Sequence, residues 1–463
     1  MWRSVRSSLA LSKWHQALAW WLATRAVIFL AWWLAGVSTQ GDVDYYYRSI
    51  NSLFEGRPAS ETLVEYPTPL IWVLCLPYLL GGGARLGFRA AFICLFLLTD
   101  ALVAWALWRT AHRYGTSPRP ALLFWIAFAP AMGTTTYMRL DLLTAALGAA
   151  AVLALVRSHR FTSGVMIGLG AGFKLWPALL WPATLADRRA VKRATLGVAV
   201  TGAGLVLLSW WYAGLDRLLS PLTWQSDRGL QIESIYATPF MVARLFAPDS
   251  YPVAMSKYQA FEVAGRGTVA LTEIATTATL AGGLLMVALY IGWLRRPDRT
   301  PIEAGTLMII ATLVMIVTNK TFSPQYMVWL AGPVAGLLTI SARRPSQPLA
   351  VGAPALPLSL ARRIAWWVIA LTAATQLVYP VFYDFLVRFR WGAYIGTPIL
   401  AARNVALVYF TVRLIILAVR SIAWPQFFSK PAAASQAALA VAAPATEAQT
   451  RPKRRKRPDR STT

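Results

Sequence analysis

Apolar stretches recur along almost the whole chain, at roughly 14–37, 68–82, 88–108, 121–137, 141–156, 161–173, 175–185, 194–212, 268–294, 301–318, 324–341, 364–384 and 398–420. A helix needs about 20 such residues to cross the hydrocarbon core of a bilayer, and inside that core its backbone must satisfy its own hydrogen bonds. Several runs meet that length, whereas 68–82, 161–173 and 175–185 are short and cross only where neighbours shield their ends. Composition agrees, with 57% of the 463 residues hydrophobic and 14% charged, against about 25% charged in a soluble domain. These runs predict an all-α polytopic membrane protein with about twelve transmembrane helices. Cys75 and Cys94 both lie in apolar runs, and the chain holds three His. Neither a disulfide framework nor a four-ligand zinc cage is available. Arg3, Arg6 and Lys13 precede the first run, which is too long for a signal-peptide core and lacks a cleavage site, so it reads as a retained first membrane helix.

Charge distribution sets the topology. With the N-terminus (1–13) cytoplasmic, 68–82 dipping without crossing, and 161–185 folded as a hairpin, the cytoplasmic segments hold twice the Lys/Arg of the outer ones and fewer than half the acids. A rival threading lets 68–82 and 161–185 each cross once, which brings Arg85, Arg89 and Arg139 inside. Around the membrane domain at 14–423, residues 38–67 and 213–267 form two extracytoplasmic loops. Residues 424–463 form a basic cytoplasmic tail whose composition predicts disorder. Beside a last membrane helix, that tail and the net charge of +26 point to anionic lipid as partner and not to nucleic acid.

Polar residues worth attention gather on the outer side. Asp42 and Asp44 follow the first helix closely, where a partly desolvated carboxylate suits a general base, although Asp42 also suits the cap of a helix starting at Tyr45. Tyr46 and Tyr47 serve either an interfacial belt or sugar stacking. In RLDLLTAALG, Arg139 and Asp141 are two apart and so face different partners across a cleft; Asp141 equally serves the helix dipole. Lys174, at the turn of two short helices, is either a phosphate anchor or a snorkelling side chain. Lys320 lies between two helices with Asn319, Ser323 and Gln325 nearby. Two lysines converging with Arg139 would make a phosphate site. In the second loop Arg228, Gln231 and Glu233, with Trp224, Asp227 and Tyr236, offer a sugar-binding inventory that an amphipathic surface helix would also show.

Taken in order, GDVDYYYRS, EYPTPL, RLDLLTAALG, FKLWPALLWP, RGLQIES, NKTFSPQYMVWL and TQLVYPVFY resemble glycosyltransferase family 87 of the GT-C class. The resemblance spans about residues 14–420 and implies a GT-C-like fold with an extracytoplasmic active site in the plasma membrane. It also implies a polyprenyl-phosphate sugar as donor. Family members typical of actinobacteria include mannosyltransferases and arabinofuranosyltransferases of the cell envelope, so mannose is the sugar implied first. A glycolipid or polysaccharide is the acceptor implied. The family's catalytic aspartate precedes a Tyr-Tyr pair, which selects Asp42, with Asp44 as runner-up. Lys174 and Lys320 match its Lys-x-x-Pro and Lys-x-x-Ser-Pro-Gln-Tyr positions. Tyr66-Pro67-Thr68-Pro69 departs from the usual Tyr-Pro-Pro.

The combined reading is an inverting glycosyltransferase without cofactor or metal. Asp42 is its base, and Lys174, Lys320 and Arg139 hold the donor phosphate. Tyr46, Tyr47, Asp141, Arg228, Gln231, Glu233 and Gln325 contact sugar or acceptor. A transporter or flippase of lipid-linked sugars is the alternative, but it calls for polar groups through the membrane depth, where Arg25, Asp100, Arg403 and Arg413 are nearly the only mid-helix charges.

Overall fold

The computed structural model describes residues 11, 13–35, 41–186, 188–226, 228–297, 299–342 and 358–423. The basic tail at 424–463, residues 1–10 of the N-terminal segment, part of the first outer loop and Asp227 lie outside them. Helix α1 (Trp14–Ala35) is followed by α2 (Gly41–Phe54), α3 (Pro69–Leu80), α4 (Arg85–Arg113), α5 (Arg119–Met132), α6 (Asp141–Val156), α7 (Arg160–Phe173) and α8 (Arg188–Ala213). The second loop carries α9 (Leu215–Ser226), α10 (Thr238–Ala243) and an antiparallel hairpin of β1 (Val253–Met255) and β2 (Phe261–Val263). Then come α11 (Thr268–Leu294), α12 (Pro301–Thr318), α13 (Val328–Ser341), α14 (Leu358–Gln376), α15 (Tyr383–Arg388) and α16 (Ala393–Ala423).

Among the described residues, seven helices are long and apolar enough to cross a membrane; they begin at Trp14, Arg85, Val191, Thr268, Pro301, Leu358 and Ala393. The shorter α3 and α6 are apolar but fall below that length. The protein is thus a helical membrane protein whose only strands among the described residues form the small hairpin.

Ion pairs decide between the two threadings. Asp44 on α2 bonds both Arg85 (2.5 Å) and Arg89 (2.5 Å) on α4, and Asp42 pairs with Arg139. Residues 42, 44, 85, 89 and 139 therefore share one end of the bundle, which excludes the threading that separates them. Helix α3, about 18 Å long at 1.5 Å per residue, is too short to cross, and its C-terminus joins the start of α4 at that same end through the turn at 81–84. Lys174, at the C-terminus of α7, bonds Asp141 at the start of α6. Helix α6 descends from this end and α7 climbs back to it.

Short helices hold their place by close approach. A Cβ at Gly164 of α7 would lie 2.0 Å from the Ala194 carbonyl oxygen of α8, and one at Gly332 of α13 would lie 2.0 Å from that of Ala145 on α6. Only glycine lets these backbones meet, which is how helices associate where lipid removes the hydrophobic drive. At the start of α12, Thr300 and Glu303 form a reciprocal capping box with Pro301 at the first helical position.

A charge pair sits deep in the bundle. Arg25 of α1 and Asp100 of α4 are both buried, with Nε to Oδ2 at 2.8 Å and Nη2 to Oδ1 at 3.0 Å. Trp125 Nε1 (2.6 Å) and the Tyr137 hydroxyl (2.6 Å) complete the carboxylate's shell. Pro130 has no N–H to offer the carbonyl of Ile126 four residues earlier, and Arg25 Nη1 donates to that oxygen at 3.1 Å. One guanidinium thus ties α1, α4 and the proline-broken turn of α5. We predict that Asp100→Ala destabilises the protein by roughly 3–5 kcal/mol, because it strands a buried cation. Arg25→Met with Asp100→Leu should recover most of that loss. Thermal unfolding of the purified variants in detergent checks both.

Candidate active site

The shared end of the bundle collects most of the residues singled out from the sequence. Helix α2 begins with Gly41 and Asp42, and its first turn presents Asp42 to Arg139 in the link between α5 and α6. Arg139 also donates to the Tyr379 hydroxyl (3.2 Å) and lies 5.8 Å from the centre of that ring. Asp42 is about one-third exposed and Arg139 mostly buried. Asp44 differs: both of its oxygens accept from Arg85 and Arg89. Burial pushes its carboxyl up, but the hydrogen bonds and charges of the two arginines outweigh this and hold it below the usual range. Two guanidinium groups thus occupy Asp44, whereas Asp42 meets one and is the more exposed of the two carboxylates.

Behind this pair, Asp141 is buried and its Oδ1 accepts from Lys174 Nζ (2.7 Å) and from Trp329 Nε1 (2.5 Å). Arg139 and Asp141 thus turn to different partners. Lys174 lies 5.5 Å from the Tyr66 ring centre and 5.9 Å from that of Trp329. Trp329 stacks between Trp176 (4.7 Å) and Tyr326 (4.0 Å), and Tyr326 in turn on Phe322 (6.4 Å). An aromatic column therefore runs from the Lys174 turn to the Lys320 loop.

That loop meets the 213–267 loop at Gln231. Gln231 N donates to the Lys320 carbonyl (3.2 Å), and Gln231 Oε1 accepts from Phe322 N (3.1 Å). Gln231 Nε2 reaches Glu233 Oε1 at 3.4 Å, and Glu233 is fully buried beside Arg403 of α16 at 3.5 Å. Burial pushes the Glu233 carboxyl up to about 7, against the opposing pull of Arg403, Gln231 and Arg139. Gln325 accepts from the Ser323 hydroxyl at 2.7 Å and is nearly buried.

Other sequence candidates take structural positions. Tyr46 is buried, its ring against Phe92 and Tyr66 and its hydroxyl bonded to that of Tyr66 (3.1 Å), so no ring face is left for a sugar. Tyr47 stacks on Tyr78 and donates to the Gly83 carbonyl at 3.0 Å, holding α2 on the turn before α4. Arg228 Nη2 donates to the Tyr258 carbonyl (3.1 Å) and so ties the hairpin. These side chains had packing partners that sequence spacing does not reveal. Conversely, Tyr379, Trp329 and Arg403, which bond Arg139, Asp141 and Glu233, have no spacing signal of their own. The first two stand inside the quoted segments TQLVYPVFY and NKTFSPQYMVWL. Arg403 carried the signal that a membrane-helix charge needs a partner.

Residues 65–324, more than half of the chain, match glycosyltransferase family 87. Among solved structures, ArnT from Cupriavidus metallidurans bound to undecaprenyl phosphate is 14% identical, with a TM-score of 0.43 over 86% of this chain and 77% of that one. The same protein in its apo state is 15% identical with a TM-score of 0.35 over the same shares. No curated protein matches the chain.

The buried carboxyl of Glu233 generates a pH prediction. Its folded value of about 7 lies above the ordinary 4.5, so the folded protein holds a proton that the unfolded chain releases between those values. Stability should therefore fall as pH rises through that window and level off above it. Glu233→Gln should flatten this part of the curve, read as unfolding midpoints across a pH series in detergent.

Proposed function

The chain belongs to glycosyltransferase family 87, and from that footing we propose that it moves a sugar from a polyprenyl-phosphate donor to a cell-envelope glycolipid or polysaccharide. The sugar is read as mannose, with arabinofuranose as the alternative. In this reading the membrane holds about twelve passes, counting the shorter helices, and the site faces outward with both loops.

One observation carries the reading. An apolar cavity of about 390 Å³, lined by Pro69, Trp72, Phe96, Leu143, Phe173 and Leu205, opens between α3, α4, α6, α7 and α8. The residue that follows Phe173 is Lys174. A ligand with a phosphate head and a long hydrocarbon tail fits that juxtaposition, its tail in the cavity and its head at Lys174, Arg139 and Lys320. A phosphate near Arg139 competes with Asp42 for the guanidinium, because charge-assisted bonds to phosphate rival those to carboxylate.

The chemistry follows from that competition. Asp42, released from Arg139, takes the proton of an acceptor hydroxyl as its oxygen bonds to the anomeric carbon. The bond from that carbon to the phosphate oxygen breaks, and its electron pair leaves with the phosphate. The cations meet the charge developing there, so no second carboxylic acid is needed. Attack from the face opposite the phosphate inverts the anomeric centre.

Two experiments test this. Asp42→Asn should lower kcat with a polyprenyl-phosphate sugar by roughly a hundredfold or more, while Asp44→Asn loses far less. An Asp42→Asn enzyme at wild-type rate would remove the assigned base. For the side of the membrane, Cys75 and Cys94 are first replaced by Ser. Cysteines at Glu55 and Lys257 should then react with an impermeant maleimide on intact cells, and one at His112, at the opposite end, should not.

A further inference from the structure

Arg403 stands three turns into the 31-residue helix α16, fully buried. A cation at that depth needs a partner, but pairing alone does not account for how it is used. It meets one residue twice, the Glu233 carboxylate at 3.5 Å and, through Nη2, the Glu233 carbonyl at 2.9 Å. The next residue, Asn404, donates to the carbonyls of Glu233 (3.2 Å) and Ser234 (3.2 Å) and to Thr238 Oγ1 (2.7 Å). The turn at 231–238 of the second loop is thus hung on the last membrane helix.

The other face of that turn carries the Lys320 loop. Residues 320–323 belong to no helix or strand, so their shape comes from bonds to neighbours. Gln231 supplies two of these, from its N–H to the Lys320 carbonyl and from its side-chain oxygen to the Phe322 N–H. The Phe322 ring lies under the same guanidinium, 4.2 Å from ring centre to Arg403 Cζ. Arg403 therefore touches both halves of the assembly, Glu233 on one side and Phe322 on the other.

We infer that Arg403 and Glu233 are positioning residues that set where Lys320 stands, so that the last membrane helix tunes donor binding without touching the donor. This rests on the reading in which Lys320 holds the donor phosphate. A hydrogen-bonded brace of this kind transmits its effect through the residue it positions, so its contribution and that of Lys320 are not additive.

The test is a double-mutant cycle on the full-length protein in nanodiscs, with undecaprenyl phosphate as the binding probe. Lys320→Met and Arg403→Met should each weaken binding on the order of tenfold, and the double variant should lose no more than the weaker-binding single one. Arg403→Lys, which keeps the charge but not the fork, should recover only part of the affinity. If Lys320→Met weakens binding while Arg403→Met does not, or if the two losses multiply, the positioning role is overturned and the donor site stands. If Lys320→Met leaves binding unchanged, the donor site at this lysine falls and the inference falls with it. Should Arg403→Met not fold, Asn404→Ala loosens the same turn by removing the bonds to the Glu233 and Ser234 carbonyls and to Thr238 Oγ1, strands no charge, and carries the cycle.

Discussion

A charge that leaves water must be met by an opposite charge or by a full set of hydrogen bonds, and this requirement organises the protein from end to end. Arg25 and Asp100 show its structural form. Each is buried, each is met by several partners, and between them they join α1, α4 and the turn of α5 that Pro130 leaves one hydrogen bond short. The pair is costly to break because either half alone would be a charge without solvent.

The same requirement shapes the candidate site. Asp44 with Arg85 and Arg89, Asp42 with Arg139, and Asp141 with Lys174 bring α2, α4, α6 and α7 to one end of the bundle. These pairs differ in how much reactivity they leave. Asp44 is saturated by two guanidinium groups, whereas Asp42 shares one arginine with the Tyr379 hydroxyl and keeps more exposure. Aromatic faces then line the polar contacts: Trp329 bonds Asp141 and stacks on Tyr326, and that column reaches Phe322 under Arg403. Such faces favour cations and exclude water, which strengthens the electrostatics of whatever binds beside them.

Much of this was legible in the sequence. The apolar runs and the bias of Lys/Arg toward one set of loops specified a polytopic helical protein, since chain length per crossing and the cost of carrying charge across a bilayer are local properties. The residue types at Asp42, Arg139, Asp141 and Lys174 marked charges that need partners, and these four pair with one another. The seven ordered segments carried the family. Arg139 and Asp141, expected to face different partners, do so, although Arg139 lies in the link before α6 and not on the helix.

Partner choice was not legible, because it depends on side chains distant in sequence. Tyr46 suits sugar stacking by residue type, but Phe92 and Tyr66 close over its ring. Positive charge counted over loops favoured the hairpin threading by a small margin; contacts between Asp44 and Arg85, across a helix too short to span, decided it. Glu233 and Arg403, 170 residues apart, meet only because α16 packs beneath the second loop. The sequence by itself determined the class of protein, its family and the charged residues that need partners. Only the tertiary structure decided which carboxylate neutralises which cation, because that pairing is set by the packing of whole helices.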